Sequence, residues 1–274
     1  MKSPKLFTRF LSVTVVVIAS FFLSTCSTNP VTGRKQLTLI PSGEMLGMSY
    51  SQYDQFLKEN KLSTDQQATQ MVKRVGSRIQ KSVETYAAEK GWAKQLEGYK
   101  WEFNLVEDKQ VNAWCMPGGK VVVYTGILPV TKDETGLAVV MGHEIAHAVA
   151  EHGNERMSQG LLANLGGMAL QEAVKNKPEQ TQSLWMAAFG LGAQFGVLLP
   201  FSRSQESEAD QMGLIFMAMA GYDPSQSVTF WERMGASGGA APPEFMSTHP
   251  SHETRIADLK KQLPEAMKYY KKQN

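Results

Sequence analysis

The sequence predicts an α+β fold that is predominantly helical, with one small antiparallel sheet of about three strands. Three observations predict it. Apolar residues recur every three or four positions through most of the chain, which is the helical period. Residues 99–107 alternate with period two, and two further strand candidates follow, broken by Pro117-Gly118-Gly119, a turn signal between strands. The composition is that of an ordinary globular domain, 42% hydrophobic and 20% charged over 274 residues, which is enough chain for a sizeable core. A formal net charge of +2, with no basic stripe interleaved with aromatics, speaks against nucleic acid as a partner.

The chain opens with a basic stretch holding Lys2, Lys5 and Arg9, followed by the apolar run 10–23. That is the layout of a secretory signal, and the run is too short to span a membrane. It ends in Leu23-Ser24-Thr25-Cys26, which resembles the bacterial lipobox apart from Thr25, where glycine or alanine is usual. Residues 1–25 are thus expected as a lipoprotein signal peptide, with Cys26 the lipidated residue anchoring the protein to a membrane. Ser27, rather than aspartate, follows the cysteine. By resemblance to lipoprotein sorting, this favours the outer membrane over the inner, on the periplasmic side of a bacterial envelope. The other cysteine, Cys115, then has no partner in the chain, so no disulfide framework is expected. Removing residues 1–25 takes away three basic residues and no acid, leaving the chain near neutrality.

Residues 26–41, punctuated by proline, glycine, asparagine and serine, read as a tether that passes into a short extended segment. Residues 42–274 read as a single domain. A first helix is expected from Ser42 to about Asn60 and a second from about Thr64 to Lys90, stopped by Gly91. Strand candidates follow at 99–107, 111–116 and 120–128. Thr131 with Glu134 matches a capping box, so a helix is expected from there to Gly153. Residues 155–199 read as two helices with very apolar surfaces, separated by "KNKPEQTQ" and neither long and unbroken enough to span a membrane. Further helices are expected at about 203–220, from about Ser225 and from about Ser251, with a flexible loop at 235–245.

The stretch "VVMGHEIAHAVAEHG", residues 139–153, carries three of the five histidines. On a helix His143 and His147, four apart, project from one face and can ligate one Zn²⁺. Glu144 lies about 100° round, placed to take a proton from a metal-bound water attacking a carbonyl. The flanks are apolar, so the helix is buried, and a buried His-Glu-His group without a partner would be costly. His152, five residues past His147, points about 140° away and is not expected to be a ligand. The third ligand must come from elsewhere. The best donor is "SRSQESEAD", residues 202–210, where Glu206 and Asp210 share a face. One can bind the metal while the other receives a ligand histidine's free ring N–H. Glu208 points off that face.

H-E-x-x-H followed some sixty residues later by S-R-x-x-E-x-E-A-D resembles metallopeptidase family 48, a group of gluzincins. "NAWCMPGGKVVVYTGIL" and "STHPSHETRI" extend the resemblance over roughly residues 30–262. It implies a zincin-like metallopeptidase domain with an active-site helix pair, nearest to single-domain lipoprotein members. Carried over position by position, it implies His143, His147 and Glu206 as ligands of one Zn²⁺ per chain, Glu144 as the base, and Asp210 as the carboxylate behind a ligand. It places Asn112 and Ala113 on a strand that lines the cleft and pairs with an extended substrate. His249 and Arg255 are candidate catalytic groups stabilising the oxyanion, although in some relatives the matching histidine instead caps the metal. For Arg255 an ordinary surface salt bridge is the alternative. His252 is expected exposed, and no chemistry attaches to Trp114 or Cys115. The apolar stretch 158–199 is expected either to cover the cleft or face a membrane, or simply to pack in the core.

Two functions are compatible with these residues. One is a membrane-anchored zinc endopeptidase cleaving misfolded or damaged envelope proteins of the outer membrane. The other is a chaperone or assembly factor for such proteins, its zinc latent or structural. The presence of Glu144 favours the first, because a structural site needs no base and is closed by four protein ligands.

Overall fold

The described residues of the computed structural model are 26–194, 198–236 and 254–271; the expected signal segment 1–25 lies outside them. The chain starts with a hairpin in which β1 (Cys26–Thr28) pairs antiparallel with β2 (Lys35–Leu37). Its turn is held by Asn29, whose side-chain oxygen accepts from the backbone N–H of Val31 and Thr32, with Gly33 left-handed, a common use of asparagine and glycine in turns. The short extended segment expected within 26–41 is β2, while the part before it, expected as a tether, is folded back as β1 and a turn. The physical reason is Arg34, drawn down onto two carboxylates of the domain.

Helix α1 (Ser42–Glu59) and helix α2 (Gln66–Lys90) match the expected pair closely. The Asp65 carboxylate accepts from Ala68 N–H at the start of α2, and Gly91 in the left-handed region ends it, the usual cap chemistry. The sheet comprises β3 (Glu102–Val106), β4 (Ala113–Met116) and β5 (Lys120–Tyr124), in the order β3-β5-β4. It has three strands, as expected, but is mixed rather than antiparallel: β5 runs antiparallel to β4 and parallel to β3. All five residues of β5 are buried. A strand apolar on both faces takes the centre, and as the hairpin partner of β4 it then runs in the direction of β3. One face of the sheet packs into the main core. The other is covered by α1, whose Tyr53, Phe56 and Leu57 meet Val106, Val122 and Tyr124.

A short turn of helix, α3 (Leu128–Thr131), precedes α4 (Glu134–Val149). The expected capping box is not formed. Thr131 Oγ1 donates to the Leu128 carbonyl, Lys132 reverses the chain at φ 68°, and Asp133 caps α4 by accepting from Gly136 N–H. Glu134 instead accepts from Arg74 Nε at 2.8 Å and from Tyr222 Oη at 3.0 Å. Every residue from Gly136 to Val149 is buried, as a helix apolar on all sides must be. It ends at Val149 rather than at Gly153, because Glu151 turns left-handed at φ 56°.

α5 (His152–Val174) and α6 (Glu179–Ala193) pack on each other and expose Leu161, Leu165, Met168, Leu184 and Trp185, the apolar surfaces the sequence pointed to. No helix among the described residues is long and apolar enough to cross a membrane. α7 (Leu199–Met219), α8 (Gln226–Ala236) and α9 (Arg255–Met267) complete the domain.

α4 and α7 approach closely because glycines meet at their crossing. A Cβ on Gly213 would stand 2.9 Å from the His143 nitrogen, and one on Gly142 would stand 3.0 Å from the Gly213 carbonyl oxygen. Backbone cannot yield as a flexible side chain can. Gly213→Ala is accordingly expected to destabilise the protein by about 1–3 kcal/mol, read by denaturant unfolding. An unchanged midpoint would show that the crossing has slack.

Candidate metal centre

The α4–α7 crossing brings four functional positions together. His143 and His147 share one face of α4, while Glu206, Asp210 and Gly213, spaced four and three apart, share one face of α7. The Nε2 atoms of His143 and His147 lie 3.1 Å apart. Glu206 Oε1 is 3.2 Å from His147 Nε2, and Oε2 is 3.4 Å from His143 Nε2. A divalent ion bound tetrahedrally at about 2.0–2.1 Å spaces its donors about 3.3 Å apart, so this triangle has the right edges. Among the described residues it is the one group of three or more such side chains able to hold a metal. His143, Glu144, His147 and Glu206 are all buried, at no more than 5% exposure.

With each Nε2 turned to the metal position, each Nδ1–H is free to donate. His143 Nδ1 lies 2.9 Å from Asp210 Oδ1, the carboxylate-behind-ligand arrangement expected. The same oxygen accepts from Arg255 Nη2 at 2.6 Å, and Arg255 Nη1 lies 3.5 Å from Glu206 Oε2. Arg255 is completely buried and stacks on Trp231 at 3.3 Å from the ring centroid. This places Arg255 beside the ligands, as one expectation had it, and overturns the alternative of an ordinary surface salt bridge. It is not a surface cation; it stands against the ligands, where Asp210 and Glu206 hold it.

A second correction concerns His152. Because α4 breaks at Glu151, the ring does not point away. It is fully buried, with Nδ1 2.8 Å from His147 Nδ1 and Nε2 3.2 Å from Glu208 Oε2. Glu208 lies off the ligand face, as helical geometry requires, yet it is buried and bonded rather than solvated. The sequence signal for this pair was weak, because the break in α4 carries no glycine at the left-handed position.

Burial opposes ionisation of the Glu206 carboxyl, but hydrogen bonds from His143 and His147 outweigh it and hold the group far below the usual carboxylate range. Burial raises Glu144 to about 8, with Glu206 adding to the shift and His143 opposing it. Burial alone would lower His143; its bonds to Asp210 and Glu206 prevail and raise it to about 9. In the metal-free protein His143 is therefore favoured in its doubly protonated form near pH 7, and a metal at Nε2 must displace the second proton. Metal binding at pH 7 is expected to release at least one proton, and apparent affinity to rise about tenfold per pH unit towards pH 9. Calorimetry in buffers of different ionisation enthalpy reads this directly, and no dependence on buffer would contradict it.

β4 lies along α4 and, among the described residues, has a strand neighbour on one side only. The Ala113 side chain is buried in the core, so its backbone, not its side chain, is what a peptide could meet. Asn112 Oδ1 accepts from Ala113 N–H, and the Asn112 carbonyl accepts from Tyr124 N–H. Cys115 is a free, half-buried thiol that burial pushes well above its ordinary pKa. His249 and His252 lie outside the described residues, as do the lipobox positions before Cys26.

The sequence pattern of the family described as "Peptidase family M48" matches residues 73–263. The "Mitochondrial metalloendopeptidase OMA1" of Schizosaccharomyces pombe is 39% identical over 173 residues, covering 62% of this chain and 49% of the relative. The protein of the same name from Arabidopsis thaliana is 36% identical over 225 residues, covering 81% and 41%. The "Beta-barrel assembly-enhancing protease" of Escherichia coli is 24% identical over 274 residues, covering 92% and 50%. The chain thus spans about two fifths to one half the length of these relatives. They overturn one expectation, the periplasmic face of a bacterial envelope with the outer membrane preferred: the higher identities among them run to proteins named as mitochondrial. Kinship with single-domain lipoproteins rests on the sequence alone.

Proposed function

The chain belongs to peptidase family M48 and carries that family's metalloendopeptidase domain, and from this premise we propose that it is a zinc-dependent endopeptidase acting on unfolded or damaged polypeptides. The carrying observation is the triangle of His143 Nε2, His147 Nε2 and the Glu206 carboxylate, with edges of 3.1–3.4 Å. Two imidazoles and one carboxylate suit zinc and leave it a position open to substrate. Zinc there supplies Lewis acidity, polarising the scissile carbonyl and acidifying the attacking water.

The remaining work falls to side chains of the protein. Glu144 takes the water's proton and returns it to the leaving amine; its burial keeps the carboxyl basic enough to accept and acidic enough to give. Asp210 fixes the His143 ring, and Arg255 keeps Asp210 ionised and helps to hold both Asp210 and Glu206 in place. The outer edge of β4, beginning at Ala113, aligns an extended chain by backbone hydrogen bonds once Asn112 Oδ1 gives up the Ala113 N–H. An unfolded segment can present such an edge, whereas a folded domain has its strands already paired.

The test is cleavage of a denatured polypeptide by the full chain, with metal content measured on the same sample. Cleavage should stop with a chelator and return on adding Zn²⁺. Cutting that persists in metal-stripped protein would end the assignment.

A further inference from the structure

We propose that the N-terminal hairpin is part of the metal centre: Arg34, acting through Glu208 and His152, sets the orientation of the ligand His147. This rests on His147 ligating zinc. The chain of contacts is continuous. His147 Nδ1 meets His152 Nδ1 at 2.8 Å, and His152 Nε2 meets Glu208 Oε2 at 3.2 Å. The same Glu208 oxygen accepts from Arg34 Nε at 2.6 Å, and Thr32 Oγ1 donates to the other. Arg34 also forks onto Glu155, with Nη1 at 2.8 Å and Nη2 at 2.7 Å, and Gln205 Nε2 holds Glu155 Oε2 at 2.7 Å.

The proton directions are then fixed. With Nε2 of His147 facing zinc, its Nδ1–H donates to His152 Nδ1. This forces the His152 proton onto Nε2, where only an acceptor such as Glu208 can meet it. Glu208 and Glu155 are buried and both acidic, and among the described residues Arg34 is the cation that spans them. Its planar fork reaches two carboxylates at once, which a lysine point charge cannot do. A buried ionic chain adds little stability over an apolar packing of the same volume. What this one does provide is a single orientation for the second ring nitrogen of a metal ligand, and the loss of such partners typically weakens metal binding by about 10–100-fold. Asp210 and Arg255 do the same for His143, so each ligand histidine has its own buttress, one from α7 and α9, the other from the hairpin and α7.

Arg34, Glu208 and His152 are positioning residues, and the test separates orientation from packing. Three full-chain variants are compared with wild type: Arg34→Lys, His152→Phe, which keeps the ring volume without an acceptor, and His152→Asn, whose side-chain oxygen can still accept from His147. The readouts are zinc affinity by chelator competition, the d–d absorption of the Co²⁺-loaded protein, and the melting temperature of the metal-free form. Arg34→Lys and His152→Phe should bind zinc about 10–100-fold more weakly with an altered cobalt spectrum, and His152→Asn should recover most of the affinity. Zinc binding within twofold of wild type and an unchanged cobalt spectrum in Arg34→Lys and His152→Phe would overturn the role, even if the melting temperature falls. Should His152→Phe fail to fold, Arg34→Lys decides alone, since it lies on the half-exposed hairpin. Absence of zinc binding in the wild type would instead sink the ligand assignment itself.

Discussion

Glu144→Gln is expected to lower kcat for hydrolysis of an unfolded polypeptide by about 10²–10⁴-fold while zinc content stays at the wild-type level. The two halves of that outcome come from different features. Zinc is held by His143, His147 and Glu206, whose donor atoms converge without Glu144, so an amide of the same shape leaves the ligands alone. The proton chemistry, however, needs a carboxylate. Burial raises this one above the ordinary carboxylate range in the metal-free protein, which makes it a stronger base than an exposed carboxylate, and glutamine can neither take nor return a proton. Single-turnover cleavage and metal analysis on one preparation measure both halves. Undiminished cutting by the variant would remove Glu144 from the reaction, while loss of zinc would mean that it supports the ligands instead.

The second large effect is structural. Arg255→Met is expected to destabilise the folded protein by about 3–5 kcal/mol, read as a shift in the urea midpoint of the metal-free form. The guanidinium is wholly buried, bonded to Asp210 and near Glu206, and it covers the face of Trp231. Without it two buried carboxylates face each other across His143. Asp210 is held below its ordinary pKa against burial, with Arg255 the foremost cause. Its depressed pKa stabilises the fold above the ordinary carboxylate range, and that contribution fades as pH falls towards the folded-state value. The variant should therefore lose most at neutral pH and less in acid. Arg255→Lys should rescue little, because a lysine neither forks nor stacks. A loss under about 1 kcal/mol at pH 7 would show the site to be wetter than its burial implies.

Much of this centre could be read before any coordinates. The four-residue spacing of His143 and His147 on an apolar helix, and of Glu206 and Asp210 on another, fixes which side chains share a face, and the structure brings those faces together. What could not be read was set by backbone reversals without a sequence mark. Continuing α4 to Gly153 turned His152 away; a left-handed glutamate at 151 turns it back. Glu208 was rightly placed off the ligand face, but a contact with a hairpin some 170 residues upstream leaves no local pattern. Strand direction, by contrast, had a usable signal. The unbroken Val121-Val122-Val123 run marks a strand covered on both faces, hence a central one, with β3 and β4 on either side.

The two-sided burial of the sheet bears on where a working fragment can begin. Family likeness spans residues 73–263, and a truncation cut to it would retain His143, His147 and Glu206. It would also discard α1 and strip Tyr53 and Phe56 from Val122 and Tyr124. The sheet would then present a bare apolar surface to solvent, an invitation to self-association between copies. Kinship and foldability thus have different borders here, and a soluble truncation has to start upstream of Ser42.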